Sequence, residues 1–216
     1  MGHDVAAVIP IKTNNVRLPG KNTRLLGTKP LYTYMFDTVQ RCTDIDKIYI
    51  DSSDEQILSY AREYNFNTIK RPVELNSPET SGNDLLEFEL ETIEEDTIVQ
   101  LFVTQPFLKH TTIDKAIQLF NDTPSATSVL ALFKAYNRYW FEGAPVNHSP
   151  YRLYGTQHER PISCEAGFYI FDRTSFLEQK SRVTTLFTTF IADPIECTDI
   201  DTETDFRYAE ALLDMV

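Results

Sequence analysis

Apolar positions along the chain alternate between two rhythms. Residues 5–10 form an almost unbroken run rich in Val, Ala and Ile, the composition of a strand covered on both faces. Pro30 then opens a segment in which Leu31, Tyr34, Met35 and Val39 recur at helical spacing and give one apolar face. A second short strand is predicted over 47–51, followed by Ser53 or Asp54 as the cap of a helix carrying Ile57, Leu58, Ala61 and Tyr64. Residues 67–71 read as a third strand stopped by Pro72, and 73–83 as a polar loop before a helix over 84–94. The stretch 97–103 is apolar or β-branched almost throughout, which predicts a central strand. A helix over 111–120 and a strand over 126–133 continue the alternation.

The pattern breaks at 135–163, where Tyr, Asn, Pro, His, Arg and the only tryptophan, Trp140, follow no sustained period. Aromatic side chains are costly to leave solvated, so this excursion is expected to face a substrate or a second subunit. Residues 165–171 restore a strand, Ser175 begins a short helix, and 188–191 is strand-like. A last helix places Phe206, Ala209, Leu212 and Leu213 on one face, with Asp201 or Thr202 as its cap. Strands alternating with helices predict an α/β fold built on a mainly parallel sheet with helices on both faces.

Composition narrows the classes. With 216 residues, 42% hydrophobic and 24% charged, the chain can bury one large core, and a single domain over 1–216 is expected. A net charge of −12 argues against a nucleic-acid partner, whose phosphates reward a broad basic face. No charged start followed by a long apolar stretch, and no apolar run near about 18 residues, argue against export and membrane spanning, so a cytoplasmic enzyme is expected. Cys42, Cys164 and Cys197 show neither disulfide nor zinc spacing, and His110, His148 and His158 lie far from any nucleophile motif.

Against this acidic background the basic cluster after the first strand stands out. Lys12, Arg17 and Lys21 fall within ten positions, in a loop leaving a strand end where open α/β sheets receive ligands. Gly20 frees the backbone to approach an anion and Asn22 offers a donor and an acceptor, so a nucleoside triphosphate is the natural ligand. Asp199 and Asp201, two apart, share a face in extended backbone and could hold one hard cation such as Mg²⁺; alternatively Asp201 caps the helix and Asp199 is merely solvated. Asp205 suits the first helical turn. Arg71, before Pro72, could lie over the sheet edge, and Thr104 and Gln105 follow the central strand.

Seven ordered segments, IPIKTNNVRLPGKN at 9–22, TKPLYTYMFDTV at 28–39, IYIDSSDEQI at 48–57, RPVEL at 71–75, VTQPFLKHTTIDKAI at 103–117, EAGFYIF at 165–171 and DIDTETDFRYAEAL at 199–212, resemble the acylneuraminate cytidylyltransferases over nearly the whole chain. The resemblance implies a Rossmann-like nucleotide-diphospho-sugar transferase fold, CTP and a sugar acid (a nonulosonate related to sialic acid) as substrates, Mg²⁺ as cofactor, and a homodimer built partly by the excursion. It implies that Lys12, Arg17 and Lys21 serve catalysis by neutralising phosphate charge. It further assigns Lys12, Asn15, Arg17, Lys21, Asn22, Arg71, Thr104 and Gln105 to the nucleotide, Asp199 and Asp201 to the metal, and Glu165 and Arg160 to the sugar side. Three departures from the family pattern are legible: Phe102 stands in place of a glutamine, Gln105 in place of a serine, and Ser163 with Glu165-Ala166 in place of an arginine before Asn-Gly. Two alternatives stay open: a cytidylyltransferase for 3-deoxy-octulosonate or another sugar, and a non-catalytic nucleotide-binding module.

Overall fold

A computed structural model describes residues 4–213. Seven strands form one sheet: β1 Val5–Ile11, β2 Lys47–Ser52, β3 Asn67–Lys70, β4 Thr97–Gln100, β5 Ser128–Ala135, β6 Ile162–Asp172 and β7 Phe187–Ile191. Six helices accompany it among the described residues: α1 Leu31–Val39, α2 Glu55–Glu63, α3 Gly82–Glu89, α4 His110–Asn121, α5 Arg173–Gln179 and α6 Glu203–Leu213. The strand order is β7-β5-β6-β4-β1-β2-β3. All neighbouring pairs are parallel except those of β6, which is antiparallel to both β4 and β5.

Period two along β1 divides the core. Ala7, Ile9 and Ile11 point to the face covered by α1, α2 and α4, where Met35, Phe36, Ile57, Ile113 and Ile117 are buried. Ala6 and Val8 point to the other face, against Leu86 and Leu90 at α3 and Phe176 of α5. A strand apolar at every position is therefore what two helical layers require. A third cluster joins Leu18 and Leu26 of the basic loop to Ile200, Phe206 and Ala209. This packing brings residues near 20 and 200 together, although they are far apart in sequence.

The ends of several elements differ from the periodicity, for local reasons. Ladder pairing of the central strand stops at Gln100, because beyond the Leu101 amide bond to the Val8 carbonyl the chain turns toward the site. The third helix begins earlier, at Gly82, because the Ser81 side chain and Asp84 form a reciprocal capping box. It also ends earlier, at Glu89, rather than reaching residue 94. Asp54, not Ser53, caps α2 by accepting from the Gln56 and Ile57 amides. The segment read as an unstructured loop holds a 3-10 turn at Val73–Asn76, and the excursion holds a small antiparallel pair, Trp140–Phe141 with Ala144–Pro145.

The antiparallel strand is the main topological difference from a uniform βα alternation. β5 runs in the same direction as β4, and the chain leaves it at the carboxyl edge, makes the excursion there, and returns as β6. Pairing of β6 with β5 shifts register between Glu165 and Tyr169, a bulge in which Gly167 takes φ +74°. A side chain at Gly167 would collide with the Gln105 amide, which donates to the Ala166 carbonyl.

Candidate active site

The basic loop is shaped by its own backbone. Gly20 adopts the left-handed conformation at φ 69°, and Lys21–Thr23 form a 3-10 turn whose exit is fixed by the Arg24 amide bonding the Gly20 carbonyl. Lys21 is buried, with 7% of its surface exposed, and a buried ammonium needs partners. It finds the Ile200 carbonyl at 2.6 Å and Asp201 Oδ1 at 2.7 Å. Arg17 Nη2 lies 2.7 Å from the other oxygen, Oδ2. One carboxylate thus bridges two of the three cations singled out from sequence.

Asp201 is held from behind. Asp205 Oδ2 accepts from the Asp201 amide at 3.1 Å and the Thr202 amide at 2.7 Å, while Thr202 Oγ1 accepts from the Asp205 amide. Burial alone pushes the Asp205 carboxyl up, but the bonds from Thr202 and from both amides outweigh it and hold the pKa below its usual value. Thr202 is the cap and Asp205 its partner, which leaves the Asp201 side chain free for Lys21 and Arg17. Asp205→Ala is expected to lower stability by about 1 kcal/mol, read as a drop in thermal midpoint.

Three adjoining hollows open around Asp201. The one of about 280 Å³ is lined by Lys12, Asn15, Lys21, Asn22, Gly82, Phe102, Thr104 and Asp201, among others. One of about 220 Å³ takes in Arg17, Phe102, Thr104, Gln105, Gly167, Asp199 and Asp201. One of about 120 Å³ lies over Asn15, Arg17, Lys21 and Asp201. Asn22 Nδ2 donates to the Lys12 carbonyl at 2.7 Å, while the Oδ1 atoms of Asn15 and Asn22 are buried without a protein partner. Burial, then the nearby Arg71 charge, lowers the Lys12 pKa. Asp199 keeps contact with solvent at the rim, yet crowding by surrounding protein raises its pKa, and Asp201 adds to the rise; the Thr104 hydroxyl bond and the charges of Lys21 and Arg17 act against it.

Lys12, Asn15, Arg17, Lys21, Asn22, Thr104, Gln105, Asp199 and Asp201 therefore converge on one concave region. Three other expected residues sit differently. Arg71 is turned inward and wholly buried, its Nε and Nη2 reaching Asp51 Oδ2 at 2.8 and 2.5 Å, so no face of it meets the hollow. Glu165 accepts from the Tyr169 hydroxyl and remains exposed. Arg160 is exposed on the excursion and lines none of the three hollows. Gln105 is buried with Oε1 unpartnered.

Sequence reasoning passed over Asp51, Glu89 and Arg182. Glu89 is fully buried beside Asp51 and Arg71, and burial, reinforced by the neighbouring Asp51 charge, raises its pKa well above the ordinary value. A charged residue on the buried face of α3, in register with Leu85 and Leu86, was the available signal. Nothing in the sequence marks Arg182, which with Lys180 is one of two cations between α5 and β7.

A cation-lined loop after β1 thus faces a carboxylate pair ahead of the last helix at the carboxyl edge of this sheet, where open α/β sheets receive their ligands. A family model described as Cytidylyltransferase matches residues 6–215, and the chain belongs to that family. The CMP-N,N'-diacetyllegionaminic acid synthase of Legionella pneumophila is 27% identical over 224 residues, spanning 98% of this chain and 97% of the relative. A 3-deoxy-manno-octulosonate cytidylyltransferase 2 of Hydrogenovibrio crunogenus is 27% identical over 115 residues, 52% of this chain, and the match spans 45% of that relative's length. Among solved structures, a CMP:2-keto-3-deoxy-manno-octonic acid synthetase complexed with CTP superposes with TM-score 0.75 at 15% identity, covering 98% of this chain and 99% of that one. A 4-diphosphocytidyl-2C-methyl-D-erythritol synthase of Anaerococcus prevotii gives 0.71 at 16% identity, covering 99% and 97%. At such identities the likeness is one of fold.

Proposed function

We propose that this chain transfers a cytidylyl group from CTP to the hydroxyl of an acidic sugar, releasing pyrophosphate and giving a CMP-sugar. The observation that carries the reading is Asp201, bridged by Lys21 and Arg17 at the junction of three hollows, in a chain matched by the family over nearly its full length. Triphosphate oxygens entering this junction compete with Asp201 for both cations. Lys12, Arg17 and Lys21 then offset the charge that builds on the phosphates as the sugar oxygen attacks the α-phosphorus and pyrophosphate leaves. The unpartnered acceptors of Asn15 and Asn22 suit ribose hydroxyls or a cytosine amino group.

The donor set also fits Mg²⁺. Asp199 and Asp201 supply two carboxylates, and among the described residues no third His, Cys, Asp or Glu joins them, which suits an ion that completes its shell with water and phosphate oxygens. Bound there, Mg²⁺ supplies charge neutralisation at the phosphate oxygens. Crowding that raises the Asp199 pKa favours any arrangement placing a cation beside it.

A nonulosonate of the legionaminate or sialic acid kind is the substrate supported by the full-length relative, and an octulosonate is the second reading, supported by the fold likeness and the partial match. We also propose a homodimer formed through the excursion, where Trp140, Phe141, Tyr151 and Leu153 lie exposed. Pyrophosphate release is to be measured with CTP and Mg²⁺ against N-acetylneuraminate, legionaminate and 3-deoxy-octulosonate. One acid is expected to give turnover at least 100-fold above the others; CTP binding without release from any acid sinks the enzymatic reading and leaves the nucleotide-binding module.

A further inference from the structure

Two sets of ion pairs cross the seam between the basic loop and the last helix, and they differ in what they face. Lys21 and Arg17 meet Asp201 at the hollows, where triphosphate oxygens would compete for both cations. Three residues beyond Lys21, Arg24 reaches Glu203, which lies two residues beyond Asp201, and neither lines any of the three hollows. The second contact is out of the ligand's reach.

Its geometry is that of a clamp. Arg24 Nη1 donates to Glu203 Oε2 at 2.6 Å and Nη2 to Oε1 at 3.1 Å, two bonds that fix the plane of the fork. The guanidinium Cζ lies 4.0 Å from the centroid of the Phe206 ring, on the next turn of α6. The Arg24 backbone is tied as well: its amide bonds the Gly20 carbonyl, and its carbonyl accepts from the Leu31 amide at the start of α1. The Arg24 bond holds the Glu203 carboxyl below its usual pKa, so the pair is charged at neutral pH. Arg207 Nε stands 3.6 Å from Oε1 as a looser second cation. Partly exposed ion pairs add little stability. A two-pronged fork stacked on a ring is instead suited to alignment.

We propose that Arg24 and Glu203 are positioning residues, which hold the basic loop against the last helix while the triphosphate takes Lys21 and Arg17 from Asp201. In the free protein Asp201 closes the seam itself, and loss of the clamp is tolerated. Once phosphate oxygens occupy the two cations that contact weakens, and the clamp keeps Gly20 and Lys21 in register with the segment carrying Asp201. This assignment rests on the reading of the junction as a triphosphate site.

The test titrates Arg24→Gln, Glu203→Gln and the double variant, each as the full chain, with CTP and Mg²⁺ by calorimetry, beside circular dichroism melts without nucleotide. Each single variant is expected to weaken CTP binding by at least about 5-fold, and the double variant no further than the weaker-binding single one. The nucleotide-free melts stay within a few degrees of the wild type. Arg24→Lys, which keeps the charge but not the fork, restores part of the affinity, and Arg207→Gln binds CTP as the wild type does. Unchanged affinity in both single variants overturns the assignment, and so do losses that add in the double variant, because the two residues then act separately. A loss of affinity that is matched by a large fall in the nucleotide-free melt makes the pair structural and overturns it too. No CTP binding by the wild type overturns the triphosphate reading together with it.

Discussion

Asp201→Asn is expected to slow pyrophosphate release by roughly 10³-fold, with the fold retained at a lowered thermal midpoint because buried Lys21 loses its countercharge. Asparagine fills the same volume and can still accept from Lys21 through Oδ1, so the loop and the last helix keep their packing. What disappears is the negative charge that Lys21 and Arg17 share at 2.7 Å. Lys21→Ala strikes the same junction from the other side. It removes the Lys21 bond to the Ile200 carbonyl, leaves Arg17 as the partner of Asp201 among the described residues, and takes a buried cation from the junction proposed to receive the phosphates. A loss of at least about 100-fold in turnover is expected. Steady-state pyrophosphate assays with circular dichroism on each variant check both; near-normal release in the two variants would remove this junction from catalysis.

Arg71→Met is expected to cost about 3–5 kcal/mol, the largest stability effect foreseen for a single side chain here. Asp51 and Arg71 are both without exposed side-chain surface, and the Asp51 oxygen that the arginine does not take faces the protonated Glu89 carboxyl. Removing the guanidinium leaves Asp51 buried without its countercharge and Glu89 beside it. Glu89→Gln should act in the opposite direction at neutral pH. The Glu89 pKa in the folded protein is raised from 4.5, first by burial and then by Asp51. Above that ordinary value the unfolded chain gives up this proton and the folded chain keeps it. The folded state thus binds more protons, and the stability from this group is full below pH 4.5 and lost as pH rises through the folded value. The limiting slope is about 1.4 kcal/mol per pH unit. Glutamine keeps a donor for Asp51 and has no proton to lose, so the variant should be flatter with pH and more stable above neutrality. Urea unfolding of the wild type and both variants across pH 5 to 9 decides it; a Glu89→Gln protein that is less stable throughout that range contradicts the buried-proton account.

Much of the fold can be read from residues whose neighbours are close in sequence. The β1 run, the 3.6-residue spacing of α1 and the mainly parallel sheet follow from patterning alone. The reversal of β6 does not, because strand direction depends on where the excursion lies in space, and 135–163 has no period to reveal it. The same division applies to the site. Lys12, Arg17, Lys21 and Asn22 announce themselves by density of charge after a strand, and Asp199 with Asp201 by spacing. Arg71 carries the same charge and the same strand-end position, yet it faces inward, because Asp51 on the adjacent strand captures it. A pairing between residues 20 positions apart leaves no local mark. Arg182 is hidden for a similar reason: its contacts with Tyr169 on β6 and Gln100 on β4 join elements brought together only by folding.

The reversal of β6 bears on how chains of this kind diversify. Ala135 and Ile162 lie opposite each other in one ladder, so the 135–163 segment departs from and returns to adjacent points of the sheet. Closing such a loop depends only weakly on its length. The segment can therefore be lengthened, trimmed or exchanged without shifting the register of any strand, and the junction of Lys21 and Arg17 with Asp201 stays in place while the rim around it changes. Swapping the segment between relatives is the experiment this geometry permits.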